Sequence, residues 1–361
     1  MAKALAILFS PKVEAIVDGY LDLASRLSSK QWMVVLPWAS REDERRIETK
    51  LLEPNWYGWK HNPFRLIKMM WFLFRLRYFT WKGGVDRVFL YGAPTPWHWV
   101  LRCMFPKCYF FTYVHDPSPH SGESLKHRLF SLMDVSINLK KSRALITSYE
   151  KAIPILKNRI GSHCPELHIA KLPILSGFLS DHDDIENDAI FFGRLEAYKG
   201  LDFLEEVLVK FETKKKHFRL DIVGRGPMEK KVRRLTKNHD NVKFETAFLS
   251  KSELANRISQ SRLVVLPYSD ATGTQLIQIS NSLGRPVVCT DVGCFPEYVV
   301  NGLNGFICPV GDVDDFLLAI EKILDGTVEE WEDRCIKCAR DNASINSFAN
   351  RLNSIIHGIN R

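Results

Sequence analysis

The 361-residue sequence has no apolar run long enough to span a membrane, and no N-terminal stretch reads as a cleavable signal peptide. It has no internal repeat of fixed period and no low-complexity tract. Its eight cysteines are scattered, and Cys335 and Cys338 form a C-x-x-C pair with no second pair and no neighbouring histidine. That spacing gives no reason to expect a zinc site. The runs VVCT and GFICP bury cysteine among apolar residues, as reduced thiols in a cytosol are buried. What is present is ordinary for a globular protein: 45% apolar and 25% charged residues. A disordered chain, a coiled coil, a collagen and a small disulfide scaffold are thereby excluded. At roughly 100–200 residues per domain, the length suits two domains.

Charge divides the chain unevenly. Residues 1–180 hold 26 Lys and Arg against 14 Asp and Glu, a balance of +12, and the remainder holds 24 against 28, a balance of −4. An anionic partner for the N-terminal half is therefore expected: a membrane surface, a nucleic acid or a phosphorylated ligand. No nucleic-acid recognition motif accompanies the basic excess, so nucleic acid is the poorest of the three.

Strand-like apolar runs alternate with helical stretches along both halves. AKALAILFSP, QWMVVLPWA, DRVFLYGA, KCYFFTYVHD and RALITSYE read as strands, and Ile16, Val17, Tyr20, Leu21, Leu23 and Leu27 have helical spacing. After residue 180 the pattern restarts with DAIFFGR, FRLDIVGRG, NVKFETAFL, RLVVLPYS, RPVVCTDVG and GFICPV. Helices are expected between them at about 200–213, 227–237, 252–260 and 274–283. The strands are continuously apolar, which predicts parallel sheets covered on both faces. The acidic segment 180–188 reads as a linker.

Three kinds of loop carry candidate chemistry. Gly193-Arg194-Leu195-Glu196-Ala197-Tyr198-Lys199-Gly200 follows one strand and opens a helix. Its Arg and Lys, near the carboxyl end of a parallel strand, are placed to converge on a diphosphate, or else are two solvated cations at a helix start. Asp270-Ala271-Thr272-Gly273-Thr274-Gln275 precedes another helix, and can present backbone N–H groups to an anion or simply cap the helix through Thr272 or Thr274. His115 ends a buried strand and opens the Pro-rich loop Asp116-Pro117-Ser118-Pro119-His120. Ligand sites of α/β proteins form at such strand ends, although a lone histidine there can equally be structural.

Taken in order, GRLEAYKG, IVGRGP, DATGTQ, GRPVV, VGCFPEYV and NGLNGFI resemble the C-terminal half of the GT-B glycosyltransferases of family 4, over about residues 188–325. The run HDPSPHSGE (115–123) is similar to a segment of bacterial transferases of capsule and lipopolysaccharide assembly. The resemblance implies an α/β GT-B fold, two Rossmann-like domains with parallel sheets facing a cleft. It places an acceptor domain over 1–175, a nucleotide-sugar donor domain over 176–340, and a last helix, about 341–361, crossing back to the first. It implies retaining transfer of a hexosyl group from a UDP- or GDP-type sugar to a saccharide, lipid-linked, in bacterial surface polysaccharide synthesis. Location would be the cytoplasmic face of the inner membrane. Arg194 and Lys199 would hold the diphosphate and neutralise the leaving group, with Gly193 and the backbone of Thr272, Gly273, Thr274 and Gln275 assisting. Gly224, Arg225, Gly226, Phe248 and Leu249 would surround the nucleobase and ribose. His115, Asp116, His120 and Asp270 would border the sugar and acceptor. No metal and no other cofactor are implied. Asp183-Asp184 and Asp314-Asp315 sit in linker and helix-start contexts, not in a D-x-D pair after a strand.

The sequence departs from the family at two points. Where many members carry two glutamates eight positions apart, Ala271 and Ile279 stand here, so donor recognition must differ. Ser10-Pro11-Lys12 replaces the usual glycine pair after the first strand. A nucleotide-sugar epimerase of similar architecture, or a non-catalytic partner of a transferase complex, are the alternative readings. Independently of the family, residues 64–82 place Arg65, Lys68, Arg75 and Lys82 within about 100° of one helical face, opposite Leu, Met, Trp and Phe. This predicts either a helix lying on an anionic membrane surface, with Trp71 and its neighbours inserted, or a core helix whose cations snorkel.

Overall fold

Apolar strands without polar alternation must be covered on both faces, and the chain meets that demand twice. In the computed structural model the described residues are 3–8, 22–27, 32–35, 65–91, 96–118, 132–173, 178, 180, 184–247, 249–342 and 344–359. The chain divides into two compact units, Met1–Lys171 with Ile345–Arg361, and Leu172–Ser344.

The first unit holds β1 (Lys3–Leu8), β2 (Met33–Val35), α1 (Arg65–Lys82), β3 (Val85–Tyr91), α2 (Pro96–Met104), β4 (Tyr109–Val114), β5 (Ala144–Thr147), α3 (Ala152–Ile160) and β6 (Glu166–Ile169). Residues 22–27 are helical, as their spacing predicts. All strand pairs are parallel, in the order β2-β1-β3-β4-β5-β6. β6 had no signal in the sequence: ELHI is a short edge strand, half-exposed, and so lacks an apolar run. Leu73 and Leu76 of α1 pack on Val88 and Leu90 of β3 and on Leu101 and Phe105 beside them.

The second unit runs β7 (Asn187–Phe192), α4 (Leu201–Thr213), β8 (Leu220–Val223), α5 (Glu229–Asn238), β9 (Val242–Glu245), α6 (Lys251–Ser259), β10 (Ser261–Leu266), α7 (Leu276–Ser282), β11 (Val287–Thr290), α8 (Phe295–Tyr298), β12 (Gly305–Cys308), α9 (Val313–Leu324) and α10 (Val328–Asn342). Its sheet is parallel throughout, in the order β12-β11-β10-β7-β8-β9. Local signals set the helix starts. Ser250 and Glu253 form a capping box on α6, and the Asp312 carboxylate accepts from the Asp315 N–H at the start of α9.

The acidic stretch 180–188 falls inside the second unit rather than between the two. Hydrogen bonding explains the earlier boundary. The Leu172 N–H donates to Tyr298 Oη (3.0 Å) and Gln275 Nε2 donates to the Pro173 carbonyl (2.9 Å), which fixes the chain to the second unit from residue 172 onwards. The last helix, α11 (Ile345–Gly358), belongs to the first unit. There Asn353 accepts from Trp32 Nε1, and Arg351 Nε donates to the Ile169 carbonyl. All eight cysteines are free thiols.

One glycine is critical to the second unit. Gly200 has φ +73°, and a Cβ there would lie 1.7 Å from the Pro267 carbonyl oxygen at the exit of β10. Gly200→Ala should therefore destabilise the protein by about 2–4 kcal/mol, combining backbone strain with displacement of the β10 exit. Urea unfolding of the purified variant measures this, and an unchanged midpoint would contradict the packing described.

Candidate functional site

Chain direction across the second sheet creates the site. From β7 the strands step outward through β8 to β9; the chain then returns to the centre at β10 and steps the other way through β11 to β12. The loops leaving β7 and β10 therefore part in opposite directions over neighbouring strands, which is where open parallel sheets bind ligands. The β7 exit is Gly193–Gly200 and the β10 exit is Pro267–Gln275, and the two are knit together. The Ser269 N–H donates to the Tyr198 carbonyl (2.8 Å), and Gly200 abuts Pro267. The β8 exit joins them: the Leu195 N–H donates to the Arg225 carbonyl (2.8 Å) and the Met228 N–H to the Leu195 carbonyl (3.1 Å).

Arg194 and Lys199 converge there with opposite exposure. The Arg194 side chain is 66% exposed, 3.8 Å from the Glu196 carboxylate. Lys199 is only 6% exposed and forms no ion pair among the described residues. Its ammonium lies 4.9 Å from the centroid of the Tyr268 ring, a cation–π arrangement, and 3.1 Å from where a Cβ on Gly193 would stand. Burial first, and the Arg194 charge second, push the Lys199 pKa down to about 8, against the Glu196 carboxylate, which raises it. A buried cation made uncomfortable by a second cation is an arrangement ready for an anion.

Other expected site residues of this unit take varied positions. Thr272 is buried and Asp270 is exposed at the same loop. Thr274 Oγ1 accepts from the Leu276 N–H (3.2 Å), and the Gln275 amide is bound to Pro173, so both side chains are engaged within the protein. Gly273, between Thr272 and Thr274, is half-buried. Gly293, with φ +48°, would place a Cβ 2.2 Å from the Ala271 carbonyl, so the turn before α8 rests directly on this loop. Ile279 is buried in α7. Gly224, Arg225 and Gly226 sit at the β8 exit, Arg225 exposed, with the Gly226 N–H donating to Glu229 (3.2 Å). Leu249 is half-buried. Phe248 and His120 lie outside the described residues, as does Ser10-Pro11-Lys12. Tyr268 and Tyr198 carried no motif signal, and only the folded loops bring them to the two cations.

In the first unit, His115 leaves the carboxyl end of β4 among aromatic rings. Its imidazole centroid is 5.8 Å from that of Tyr91 and 5.3 Å from that of Tyr113. Phe348 of α11 closes on both tyrosines at 5.9 and 5.8 Å. Burial lowers the His115 pKa, opposed by the Asp116 charge, so the ring is neutral near pH 7. A neutral imidazole can donate at one nitrogen and accept at the other. Asp116 itself is exposed.

The helix expected over 64–82 exists as α1, and its burial differs from the core alternative. Leu73, Leu76 and Thr80 are buried, whereas Trp71 (59%), Phe74 (72%), Tyr78 (46%) and Trp81 (79%) are exposed. At 100° per residue those four rings fall within about 80° of one face. Arg75 and Lys82 border one side of that stripe and Arg77 the other, the Arg75 guanidinium lying 4.8 Å from the Trp71 ring centroid. Nothing is described of the Arg65 and Lys68 side chains, in the first turn of α1. Among the described residues no helix is long and apolar enough to cross a membrane, and no three His, Cys, Asp or Glu side chains are grouped to hold a metal ion.

Residues 179–342 match the family described as glycosyl transferases group 1. An alpha-D-kanosaminyltransferase of Streptomyces kanamyceticus is 26% identical over 140 residues, 38% of this chain and 36% of that protein. An uncharacterized glycosyltransferase of Haemophilus influenzae is 25% identical over 146 residues, 39% of this chain and 40% of that protein. The matched segments thus span well under half the length of these relatives. Among solved structures, sucrose-phosphate synthase of Thermosynechococcus elongatus superposes with a TM-score of 0.72 at 16% identity, over 99% of both chains. Anabaena HepE, solved in complex with UDP, superposes with a TM-score of 0.66 at 14% identity, over 99% of this chain and 100% of that one. The two parallel-sheet units have the Rossmann-like architecture of the GT-B fold.

A site built on Lys199 makes nucleoside-diphosphate binding depend on pH. The ammonium is charged below about 8 and loses its charge above, and a diphosphate favours the charged form. Titration calorimetry with UDP and GDP should give an affinity that weakens between pH 7 and pH 9.5. Lys199→Met should bind weakly throughout, without that slope. A wild-type affinity that stays level across this range would remove Lys199 from the site.

Proposed function

We propose that the protein transfers a hexosyl group, with retention of anomeric configuration, from a UDP- or GDP-sugar to a lipid-linked saccharide. The product would enter a bacterial surface polysaccharide, assembled at the cytoplasmic face of the inner membrane. The observation that carries this reading is the convergence of Arg194 and buried Lys199 where the second sheet reverses. In glycosyl transfer from a nucleotide sugar the diphosphate departs with added negative charge, so fixed cations at its oxygens stabilise the transition state more than the ground state. Two cations there can do this without a bound metal. Lys199 adds to its effect by being buried, since a charge away from water acts through a lower effective dielectric. His115, neutral and held by aromatic rings, suits hydrogen bonding to the transferred sugar in both directions. The likeness of residues 179–342 to group 1 transferases supports the donor half of the reading.

A second reading rests on one observation. Ala271 and Ile279 supply no side-chain hydrogen bond, and Thr274 and Gln275 are engaged internally, so a chain that binds nucleotide without turnover would carry these residues too. A panel of nucleotide sugars, assayed with and without lipid-linked acceptors, separates the two. In that assay Arg194→Ala and Lys199→Ala should each lower turnover by ~10²–10³-fold with the fold intact, the scale for losing one charge stabiliser. A chelator should leave wild-type turnover unchanged. Wild-type rates in both variants would remove the donor-site assignment.

The lipid-linked acceptor in this reading brings the first unit to the membrane, and α1 is the surface suited to it. Four exposed rings bordered by cations match a helix lying at the interface, its rings among the headgroups and its charges on anionic lipid. The first unit's charge agrees: residues 51–110 hold nine Lys and Arg against two Asp and Glu. Liposome flotation with anionic lipid should recover the wild type at low salt. It should fail both for Trp71, Phe74, Tyr78 and Trp81 changed to Ser and for Arg65, Lys68, Arg75 and Lys82 changed to Gln. Equal flotation of all three proteins would remove α1 as the membrane surface.

A further inference from the structure

Tyr268 occupies the β10 exit with its ring fully packed and its hydroxyl unsatisfied. Its relative exposure is 3%, and Oη has no hydrogen-bond partner among the described residues. Phe295 packs at 5.3 Å from below, Tyr198 meets the ring edge-on at 6.0 Å, and the Lys199 ammonium lies 4.9 Å from its centroid. A phenylalanine would fill the same space and keep all three contacts. Packing therefore does not account for the hydroxyl, and a buried hydroxyl without a partner is destabilising.

The surroundings select the chemistry of the missing partner. Burial drives the Tyr268 phenol pKa far up, so the oxygen keeps its proton and is a donor. The charged group that acts on this hydroxyl is Arg194, and the neighbouring hydroxyl is that of Tyr198. Lys199 lies over the face of the same ring, so two cations border this residue; the one carboxylate acting on them, Glu196, lies 3.8 Å from the exposed Arg194 and forms no ion pair with Lys199. An acceptor that can approach such a group is anionic. We propose that Tyr268 Oη donates a hydrogen bond to an oxygen of the donor's diphosphate. It would thus be a third binding residue beside Arg194 and Lys199, and part of what replaces the side chains lost at Ala271 and Ile279. This rests on the donor-site reading above.

Tyr268→Phe tests it, because it removes the hydroxyl and leaves the ring under Lys199. Calorimetry with UDP and GDP should show binding at least about tenfold weaker than wild type, the scale for a lost hydrogen bond to a charged acceptor. The ligand-free variant should melt at the wild-type temperature or above it, since an unsatisfied polar group has been removed. Unchanged affinity overturns the proposal, and so does weakened affinity accompanied by a lowered melting temperature of the ligand-free protein, which would make the hydroxyl structural. A wild type that binds neither nucleotide would instead remove the donor-site reading itself, so the two failures are distinct.

Discussion

An ammonium group that is almost wholly withdrawn from water, with no carboxylate ion-paired to it among the described residues, is the constraint around which the second unit is arranged. Taking a lysine out of water disfavours its charge, and Arg194 disfavours it further. The Glu196 carboxylate works the other way and favours the charge, and the ammonium lies over the face of the Tyr268 ring. The ring contact depends on the sheet. Tyr268 is delivered by β10 and Lys199 by β7, and these strands are neighbours only because the chain returns to the sheet centre after β9. Gly200 permits the contact, since any side chain there would drive into the Pro267 carbonyl.

This arrangement changes how a donor would be held. A loop that grips a sugar through carboxylates relies on side chains projecting from the loop itself. Here the loop's side chains are engaged within the protein instead: Thr274 accepts from the Leu276 N–H, Gln275 donates to Pro173, and the Gly293 turn rests on Ala271. Recognition of a donor would then fall to backbone groups and to residues flanking the loop. Among the described residues, Tyr268 flanks the loop with a buried polar atom that has no partner.

The first unit follows the same logic with different chemistry. Its sheet also presents a strand end, at His115, but the surrounding rings and the lowered pKa favour a neutral hydrogen-bonding group over a charge. Part of that enclosure comes from Phe348, about 230 residues away along the chain and supplied by the last helix. On the same unit α1 seats Leu73 and Leu76 on the sheet and turns its larger rings outward. Burying two leucines satisfies the sheet, and the stripe of tryptophan, phenylalanine and tyrosine remains as surface.

The sequence by itself marked the strands of both sheets except β6, because continuous apolar runs such as RLVVLPYS, bounded by loop signals, suit a strand covered on both faces. It also marked Arg194, Lys199 and the loops around them, since glycines and cations at strand exits leave a local pattern. The edge strand β6 escaped because half-exposed residues carry no run. The acidic stretch 180–188 read as a linker because composition records solvation but not the hydrogen bonds of Leu172 and Pro173. In α1 the cation stripe was legible, but which apolar side chains face the sheet was not, since helical spacing gives angles around an axis and no direction in space. Tyr268 was invisible for a related reason. Its significance lies in a buried oxygen without a partner, on a ring that faces Lys199 of another loop, and only the folding of β10 against β7 decides that neighbourhood.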